Sequence, residues 1–257
     1  MPAEYAVTEQ DALQYSRHCM VGTGLLIGGY GATVAGFISP LALFFLVALV
    51  LPRWMINVHE LLHIYDEKQL NRFICLMGVS PVPLSVLSLS YGEIRTLHFA
   101  HHRAPATEAD PDFYHIQGSW PRAIFNAFTA PEQSTWHWIA HHGLTWQLGL
   151  DLAIKLGVLG YLAWVGGPVF LWFWLSLRLM YGLGDLAFFR WVHHNQGNYG
   201  TFGRPLPQAL VQLGTLVFGT TVIQATLNHD LHHHYPYLAA RHLSVARDIC
   251  RQGNGPD

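Results

Sequence analysis

The apolar stretch LGVLGYLAWVGGPVFLWFWLSL, residues 156–177, decides the fold of this chain. It contains no charged residue and therefore suits the hydrocarbon core of a membrane. Gly166-Gly167-Pro168 interrupts it, so it forms either one kinked span or the junction of two spans, at 147–165 and 169–188. The two-span alternative places charged residues near or inside the helix ends, where they need partners: Asp151, Lys155, Arg178 and Asp185. Of these, Asp151 and Lys155 are spaced to pair at i, i+4.

The composition of the 257-residue chain indicates that lipid is its solvent. Hydrophobic residues make up 51% and charged residues 12% of it, whereas an average soluble domain carries about 25% charged residues. The formal net charge of −2 comes without a basic or acidic block, so no nucleic-acid partner is indicated. The three cysteines are scattered and form no C-x-x-C pair, which argues against a disulfide framework or a thiolate metal site.

A second long apolar region lies between Arg17 and Arg53, where no Asp, Glu, Lys or Arg occurs. As one helix it would run about 52 Å, against a hydrocarbon core of about 30 Å. We therefore predict two antiparallel helices that turn near Ser39-Pro40, the second of which continues into the 59–63 region. Two further apolar stretches, 74–89 and 206–227, are broken by polar residues, Gly or Pro, and we expect them to lie in the membrane interface.

Histidine is the outlier of the composition, with 17 residues. Four groups stand out: His59-Glu-Leu-Leu-His63, His98-Phe-Ala-His101-His102, His193-His194 and His229-Asp-Leu-His232-His233. Residues at i, i+3 and i+4 of a helix share one face, so the histidines within a box project toward one point. A single zinc ion takes about four ligands, so eight imidazoles from three segments fit two metal ions. Imidazole suits Zn, Cu, Fe and Ni, so the ligand type alone does not name the metal.

Convergence of the histidines also selects the membrane topology. If residues 156–177 formed one span, the group at 229–233 would lie across the membrane from the first two groups. Two spans bring all four groups to one face. The proposed hairpin tips carry no Lys or Arg, so the positive-inside rule places the histidines on the cytoplasmic side. We predict a single all-α membrane domain over residues 1–257, with four transmembrane helices in two hairpins, interfacial helices and a cytoplasmic histidine-rich cap.

These boxes, in this order, resemble those of the membrane fatty acid desaturase superfamily, which also includes alkane and carotenoid hydroxylases and carotenoid ketolases. The resemblance is carried by HELLH at 59–63, HFAHHR at 98–103 with ADPD at 109–112, and HDLHHHYP at 229–236. The HHNQG stretch at 193–197 resembles a further ligand position, for which His194 is favoured over His193. The iron ligands that the resemblance implies are His59, His63, His98, His101, His102, His194, His229, His232 and His233.

The resemblance further implies two Fe²⁺ ions, O₂ as co-substrate, a lipid substrate and a separate electron donor of the ferredoxin, rubredoxin or cytochrome type. An unactivated C–H bond offers no group for acid–base catalysis, so its oxidation needs oxygen activated by a cofactor. Fatty acyl desaturation is the first interpretation, and hydroxylation or ketone formation on carotenoids, alkanes or other lipids is the alternative. Ligating histidines commonly donate their other N–H to a carboxylate. The preferred candidates for that role are Glu60, Asp185 and Asp230, followed by Asp110 and Asp112.

Two other classes of protein stay open at this stage. The H-E-x-x-H pattern at 59–63 also occurs in zinc proteases, where the glutamate is the general base, although this would leave both H-x-x-H-H boxes without a role. The other class is a metal transporter or metal-storage protein. Transport ligands should lie near the membrane midplane, whereas these histidines are expected at helix ends and beyond. The group His137-Trp-Ile-Ala-His141-His142 has no counterpart in the resemblance, and we expect it on the surface of an interfacial helix.

Overall fold

The computed structural model describes residues 1–64 and 87–252 and is predominantly helical. A short hairpin of β1 (His194–Asn195) and β2 (Asn198–Tyr199) is the exception to the predicted all-α class among these residues. The predicted interfacial stretch at 74–89 lies, up to residue 86, outside the described residues. The helices are α1 Glu9–Val34, α2 Pro40–Leu62, α3 Tyr91–Arg103, α4 Phe113–Ile116, α5 Trp120–His142, α6 Trp146–Gly166, α7 Pro168–Val192, α8 Gln208–Phe218, α9 Thr220–Leu227, α10 His229–His234 and α11 Leu243–Gln252.

Helices α1 and α2 form a hairpin whose turn confirms the predicted one. α1 begins at a capping box, in which the Thr8 side chain accepts from the Asp11 backbone and Asp11 accepts from the Thr8 backbone. α2 begins with Ser39 as its N-cap and Pro40 in its first turn, where a missing backbone N–H is tolerated. The break between the two helices therefore follows directly from local sequence.

The two helices of this hairpin pack through a periodic apolar face. On α2, Leu43, Val47 and Leu51 recur every four residues and are fully buried. Nearer the end of the helix, the indole of Trp54 is buried against α1 and donates a hydrogen bond of 3.0 Å to the Thr23 hydroxyl. This contact satisfies both polar groups inside an apolar interface, as buried donors require.

The interrupted stretch at 156–177 forms two helices, so the single kinked span is wrong. α6 ends at Gly166, and Gly167 adopts a φ of 50°, in the left-handed region that favours glycine. Pro168 then starts α7. Near the start of α6, Lys155 pairs with Asp151 at 2.6 Å, the i, i+4 contact expected from the sequence.

The turns of the two hairpins lie side by side at one end of the bundle. The Trp172 indole on α7 donates a hydrogen bond of 2.6 Å to the carbonyl of Pro40, at the start of α2. The Tyr30 hydroxyl on α1 donates to the carbonyl of Leu162 on α6. Because α2 and α7 both begin at this end, both deliver the chain to the opposite end, where His63 and His193 follow them directly.

Among the described residues, three helices, α2, α6 and α7, are long and apolar enough to cross a membrane. α1 is also long, but its polar first turns and its glycines make it less apolar than these three. The apolar stretch at 206–227 is divided at Gly219, which has a φ of 91°, into α8 and α9. At 11 and 8 residues these helices are too short to span, as predicted.

Helix α5 lies across α7 and contacts it closely. Arg178 on α7 donates to Glu132 on α5 at 2.6 Å, which gives this charge in an apolar helix a partner. One turn further along α7, Gly182 is buried beneath the ring of Phe128. The absence of a side chain at position 182 is what permits the close approach.

Replacing Gly182 with alanine is expected to destabilise the protein by about 1–3 kcal/mol, as overpacking does in other cores. A Cβ there would lie 2.7 Å from a ring carbon of Phe128, so the Phe128 ring or the two helices would have to shift. Gly160→Ala on α6 is the matched control, since a Cβ at that position meets no heavy atom of the described residues within 4 Å. Thermal unfolding in one detergent compares the two variants, and equal transition temperatures would contradict this packing.

Candidate metal centre

Four segments bring their histidines to the end of the bundle opposite the hairpin turns. His59 lies in the last turn of α2 and His63 directly follows that helix, while His193 directly follows α7. Helix α3 carries the box at 98–102, and α10 carries the box at 229–233. The chain thus places its ligand-type side chains at helix ends and on two short helices, as the sequence predicts.

Helix α3 is held against the end of α2 by two side chains of its first turns. The Tyr91 hydroxyl donates a hydrogen bond of 2.7 Å to the carbonyl of Leu61. The Arg95 guanidinium donates to the carbonyl of Leu62 at 2.9 Å. The last carbonyls of a helix have no partner within it, and a cation there also matches the helix dipole. These contacts orient α3 so that its histidine face meets His63.

The first group of histidines, the five-histidine cluster, has one ligand atom of every member within 4.8 Å of all the others. The Nε2 atoms of His63 and His98 lie 2.7 Å apart. Sequence separation within the cluster is large, since α2, α3 and α10 all contribute. Its members are His59, His63, His98, His102 and His232.

The second group, the four-histidine cluster, has the same compactness, and its ligand atoms also all lie within 4.8 Å of one another. The Nε2 of His229 lies 2.9 Å from that of His193 and 3.1 Å from that of His233. The two clusters adjoin, because the rings of His102 and His233 stack at 4.1 Å. The members of the four-histidine cluster are His101, His193, His229 and His233.

Both clusters fit bound metal ions. Two nitrogens bound at about 2.1 Å and at right angles to one ion are about 3.0 Å apart, close to the Nε2 separations observed. Neither ring nitrogen of His102 or of His232 has a hydrogen-bond partner among the described residues, although both are buried. Buried polar atoms are nearly always paired, so these nitrogens lack the ligand that would satisfy them.

The protonation state also suits metal binding. Burial, reinforced by His101, lowers the pKa of His193 to about 3. Burial, reinforced by His59 and His101, lowers the pKa of His102 to about 3. The pKa values of other cluster members also fall well below the ordinary value, with burial again the largest cause. Near neutral pH these imidazoles are therefore uncharged, which is the form that binds a metal.

Groups beside the clusters set the orientation of three rings. Asp110 accepts from the Nδ1 of His101 at 2.8 Å and also from the backbone N–H of Ala106 at 2.7 Å. His193 donates its Nδ1–H to the carbonyl of Gly200 at 3.1 Å, which leaves its Nε2 lone pair facing the cluster. The Nδ1 of His59 lies 3.2 Å from Glu60. Such contacts fix the tautomer and raise the basicity of a ligating imidazole.

Eight of the nine histidines predicted as ligands lie in the two clusters, and the ninth does not. His194 turns away into β1, where its ring lies 5.5 Å from that of Tyr199, and the neighbouring His193 takes the place in the cluster. The spacing along α7 could have indicated His193 in place of His194. Positions 185, 189 and 193 are four residues apart, so they share one helix face. His141 and His142 are exposed at the end of α5, away from both clusters.

Some of the carboxylates predicted to contact ligand histidines do so, and others have different partners. Glu60 and Asp110 contact cluster histidines, but Asp230 pairs with Arg247 instead. Asp185, the preferred candidate from the sequence, lies 2.8 Å from the Nδ1 of His115, a buried histidine outside both clusters. His115 has no spacing relation to the boxes, so nothing in the sequence marked it as part of this region.

Within the described part of the chain, two apolar cavities reach the clusters from between the helices. The larger, of about 320 Å³, is lined mainly by apolar side chains of α2, α7 and α9. The smaller, of about 190 Å³, extends toward α3 and α5. Both are lined by Met55, Phe189, His59 and His98, so the two cavities adjoin beside the five-histidine cluster. A long apolar molecule could therefore lie along them and pass the cluster.

Comparisons of the chain with models of protein families, with curated proteins and with solved structures found no match. The function is therefore inferred from the two clusters, from the groups that contact them and from the cavities beside them.

Proposed function

We propose that this protein is an integral membrane oxidase that holds two iron ions and uses O₂ to oxidise an unactivated C–H bond of a lipid, with fatty acyl desaturation as its first candidate reaction. The observation that carries the proposal is the pair of adjoining buried histidine clusters at the meeting point of two apolar cavities. Together with the resemblance of the boxes, this geometry supports membership of the membrane desaturase superfamily.

The histidines of the two clusters support two metal ions of the same kind. Nine imidazoles in two groups suit Fe, Zn, Cu or Ni, and the nature of the proposed reaction selects iron among them. Bound iron would supply the activation of O₂ that the oxidation of an apolar C–H bond requires. The residues of the chain then have three tasks: they hold the ions, place the lipid beside them and exclude water.

The cavities support the placing of the lipid and the exclusion of water. Met55 and Phe189 line both cavities and present only apolar atoms to a bound chain. The rest of the cavity wall is mainly apolar, so a hydrocarbon would displace water from the surroundings of the ions. A lipid held in both cavities would expose one internal segment to the cluster, which is the requirement for a position-selective reaction.

We propose four membrane spans, with α1 as the fourth. α1 pairs with α2 along its length and carries no charged residue after Arg17, so it suits the same apolar layer. The clusters then lie at the cytoplasmic side, opposite the two hairpin turns that lack Lys and Arg. That side is accessible to a separate electron donor of the ferredoxin, rubredoxin or cytochrome type.

Two rival functions have less support. A zinc protease needs its glutamate free to activate water, yet Glu60 is buried and lies beside His59. The pattern at 59–63 also joins three further histidines in one cluster. A transporter would carry ligands near the middle of its spans, whereas these histidines lie at the end of α2 and directly after α7.

The proposal is tested by expressing the wild type and His101→Ala in a heterologous host and comparing lipids by mass spectrometry. We expect a new lipid product from the wild type and none from His101→Ala, because His101 belongs to the four-histidine cluster. Loss of two hydrogens identifies a desaturase, and gain of oxygen identifies a hydroxylase or ketolase. His234→Ala, an exposed histidine outside the clusters, is the matched control. Identical lipid and carotenoid profiles from wild type and His101→Ala would contradict the proposal.

A further inference from the structure

A group of polar side chains interrupts the apolar wall where the two cavities adjoin. Asp112 and Asp185 line both cavities, and His115 lines the smaller one. The Nδ1 of His115 lies 2.8 Å from Asp185, and both side chains are buried. We call Asp112, His115 and Asp185 the polar corner. None of the three is a member of the two histidine clusters.

The polar corner has unused hydrogen-bonding capacity. Among the described residues, Asp185 is the one hydrogen-bond partner of the His115 side chain, so the second ring nitrogen of His115 is unpaired. The carboxyl of Asp112 has no hydrogen-bond partner in the described part of the chain, and only its backbone N–H donates, to Asp110. Polar groups in the wall of an apolar cavity need a partner, from water or from a ligand.

Aromatic rings surround His115 and define its position. The His115 ring stacks on Phe189 at 4.6 Å and lies 4.0 Å from the ring of Tyr114. Phe189 in turn contacts the rings of His101 and His193. The corner is therefore held at a defined place relative to the four-histidine cluster, and a group bound there would fix the position of the remaining molecule.

We infer that the polar corner binds a neutral oxygen-bearing group, a hydroxyl or a carbonyl, of an otherwise apolar lipid. This inference rests on the proposed function only in taking that lipid to be the substrate. The two carboxyl groups outnumber the single imidazole of the corner, so the corner has no excess positive charge to offer a carboxylate or phosphate headgroup. A few convergent polar groups in an apolar pocket orient a ligand, so the corner would select an oxygenated lipid over the corresponding hydrocarbon.

The test measures binding to the metal-free protein in detergent, so that it does not depend on turnover. The probes are hexadecane, hexadecanol and the methyl ketone of the same length, with palmitate and hexadecylamine as charged arms. Affinities come from the ligand-dependent shift in thermal unfolding. We expect the alcohol or the ketone to bind about 10- to 100-fold more tightly than the alkane, the difference that one or two buried hydrogen bonds produce.

Two variants assign the preference to the corner. His115→Phe removes the ring nitrogens, and Asp112→Leu removes a carboxyl without breaking any side-chain hydrogen bond among the described residues, so it keeps the test valid if His115→Phe does not fold. Both are expected to bring the alcohol-to-alkane ratio near one. Thr226→Val is the control in the larger cavity, since the Thr226 hydroxyl is already donated to the carbonyl of Val222.

The outcomes are separable. Equal affinity of the wild type for alkane, alcohol and ketone overturns the inference, as does a preference that persists in both variants. Tighter binding of palmitate or hexadecylamine than of hexadecanol also overturns it, because the corner would then recognise a charge. If the protein prefers the alcohol or ketone but yields no lipid product, the inference about the polar corner stands and the proposed oxidase function is rejected. If the protein yields an oxidised lipid but binds alkane, alcohol and ketone equally, the proposed function stands and the inference about the polar corner is rejected.

Discussion

Replacing His193 with alanine is expected to remove the metal from the four-histidine cluster, whereas His194→Ala should leave it in place. His193 lies 2.9 Å from His229 through the Nε2 atoms and is fully buried, whereas His194 lies outside both clusters. Loss of an outer-shell partner already lowers metal affinity by about 10- to 100-fold, so loss of a ligand should exceed that. Iron content per chain, measured by elemental analysis after purification, should fall from two to one in His193→Ala.

His194→Ala is a close control for His193→Ala, because the two variants make the same substitution at adjacent positions. His193→Ala also leaves the carbonyl of Gly200 without the imidazole donor. Thermal unfolding of both variants in the presence of a chelator separates that structural effect from metal loss. Full iron content in His193→Ala, or a loss confined to His194→Ala, would show that the four-histidine cluster is not the second metal site.

Asp110→Asn is expected to give the second largest effect, a fall in metal affinity of about 10- to 100-fold. The carboxylate accepts from the Nδ1 of His101 at 2.8 Å, so it favours the tautomer whose Nε2 faces the four-histidine cluster. An asparagine can present its NH₂ group to that nitrogen and so favour the wrong tautomer. Competition with a chelator of known affinity measures the change.

Glu108→Gln is the matched control for Asp110→Asn. It removes one carboxylate from the same loop, but position 108 is exposed and outside the clusters. It should retain wild-type metal affinity, since a distant solvated charge is screened. Equal losses in the two variants would mean that the local negative charge matters and that the contact with His101 does not.

Most of the helical framework could be predicted because its signals are local. Ser39-Pro40 combines an N-cap with a residue suited to the first helical turn, and Gly167-Pro168 combines a left-handed residue with a helix start. Ser39-Pro40 begins α2, and Gly167-Pro168 both ends α6 and begins α7, with no help from distant parts of the chain. The histidine boxes were likewise visible, since i, i+3 and i+4 spacing converts directly into one helix face.

The partners of the carboxylates could not be predicted in the same way. Asp185 seemed well placed to orient a ligand, yet it lies against His115, which is 70 positions away in the chain. Asp230 lies between two cluster histidines in sequence, but its side chain pairs with Arg247. Which carboxylate reaches which imidazole depends on how α4, α7 and α11 approach one another, and no spacing rule describes that approach.

The sequence alone determined that residues 156–177 contain a helix break, that the chain is largely helical and apolar, and that at least eight histidines are spaced to converge. These follow from backbone preferences and side-chain periodicity, which act within a few residues. Only the tertiary structure decided the division of the histidines into clusters of five and four, the choice of His193 over His194 and the position of the polar corner. Those features depend on long-range packing, because each joins side chains from helices that are distant in the chain.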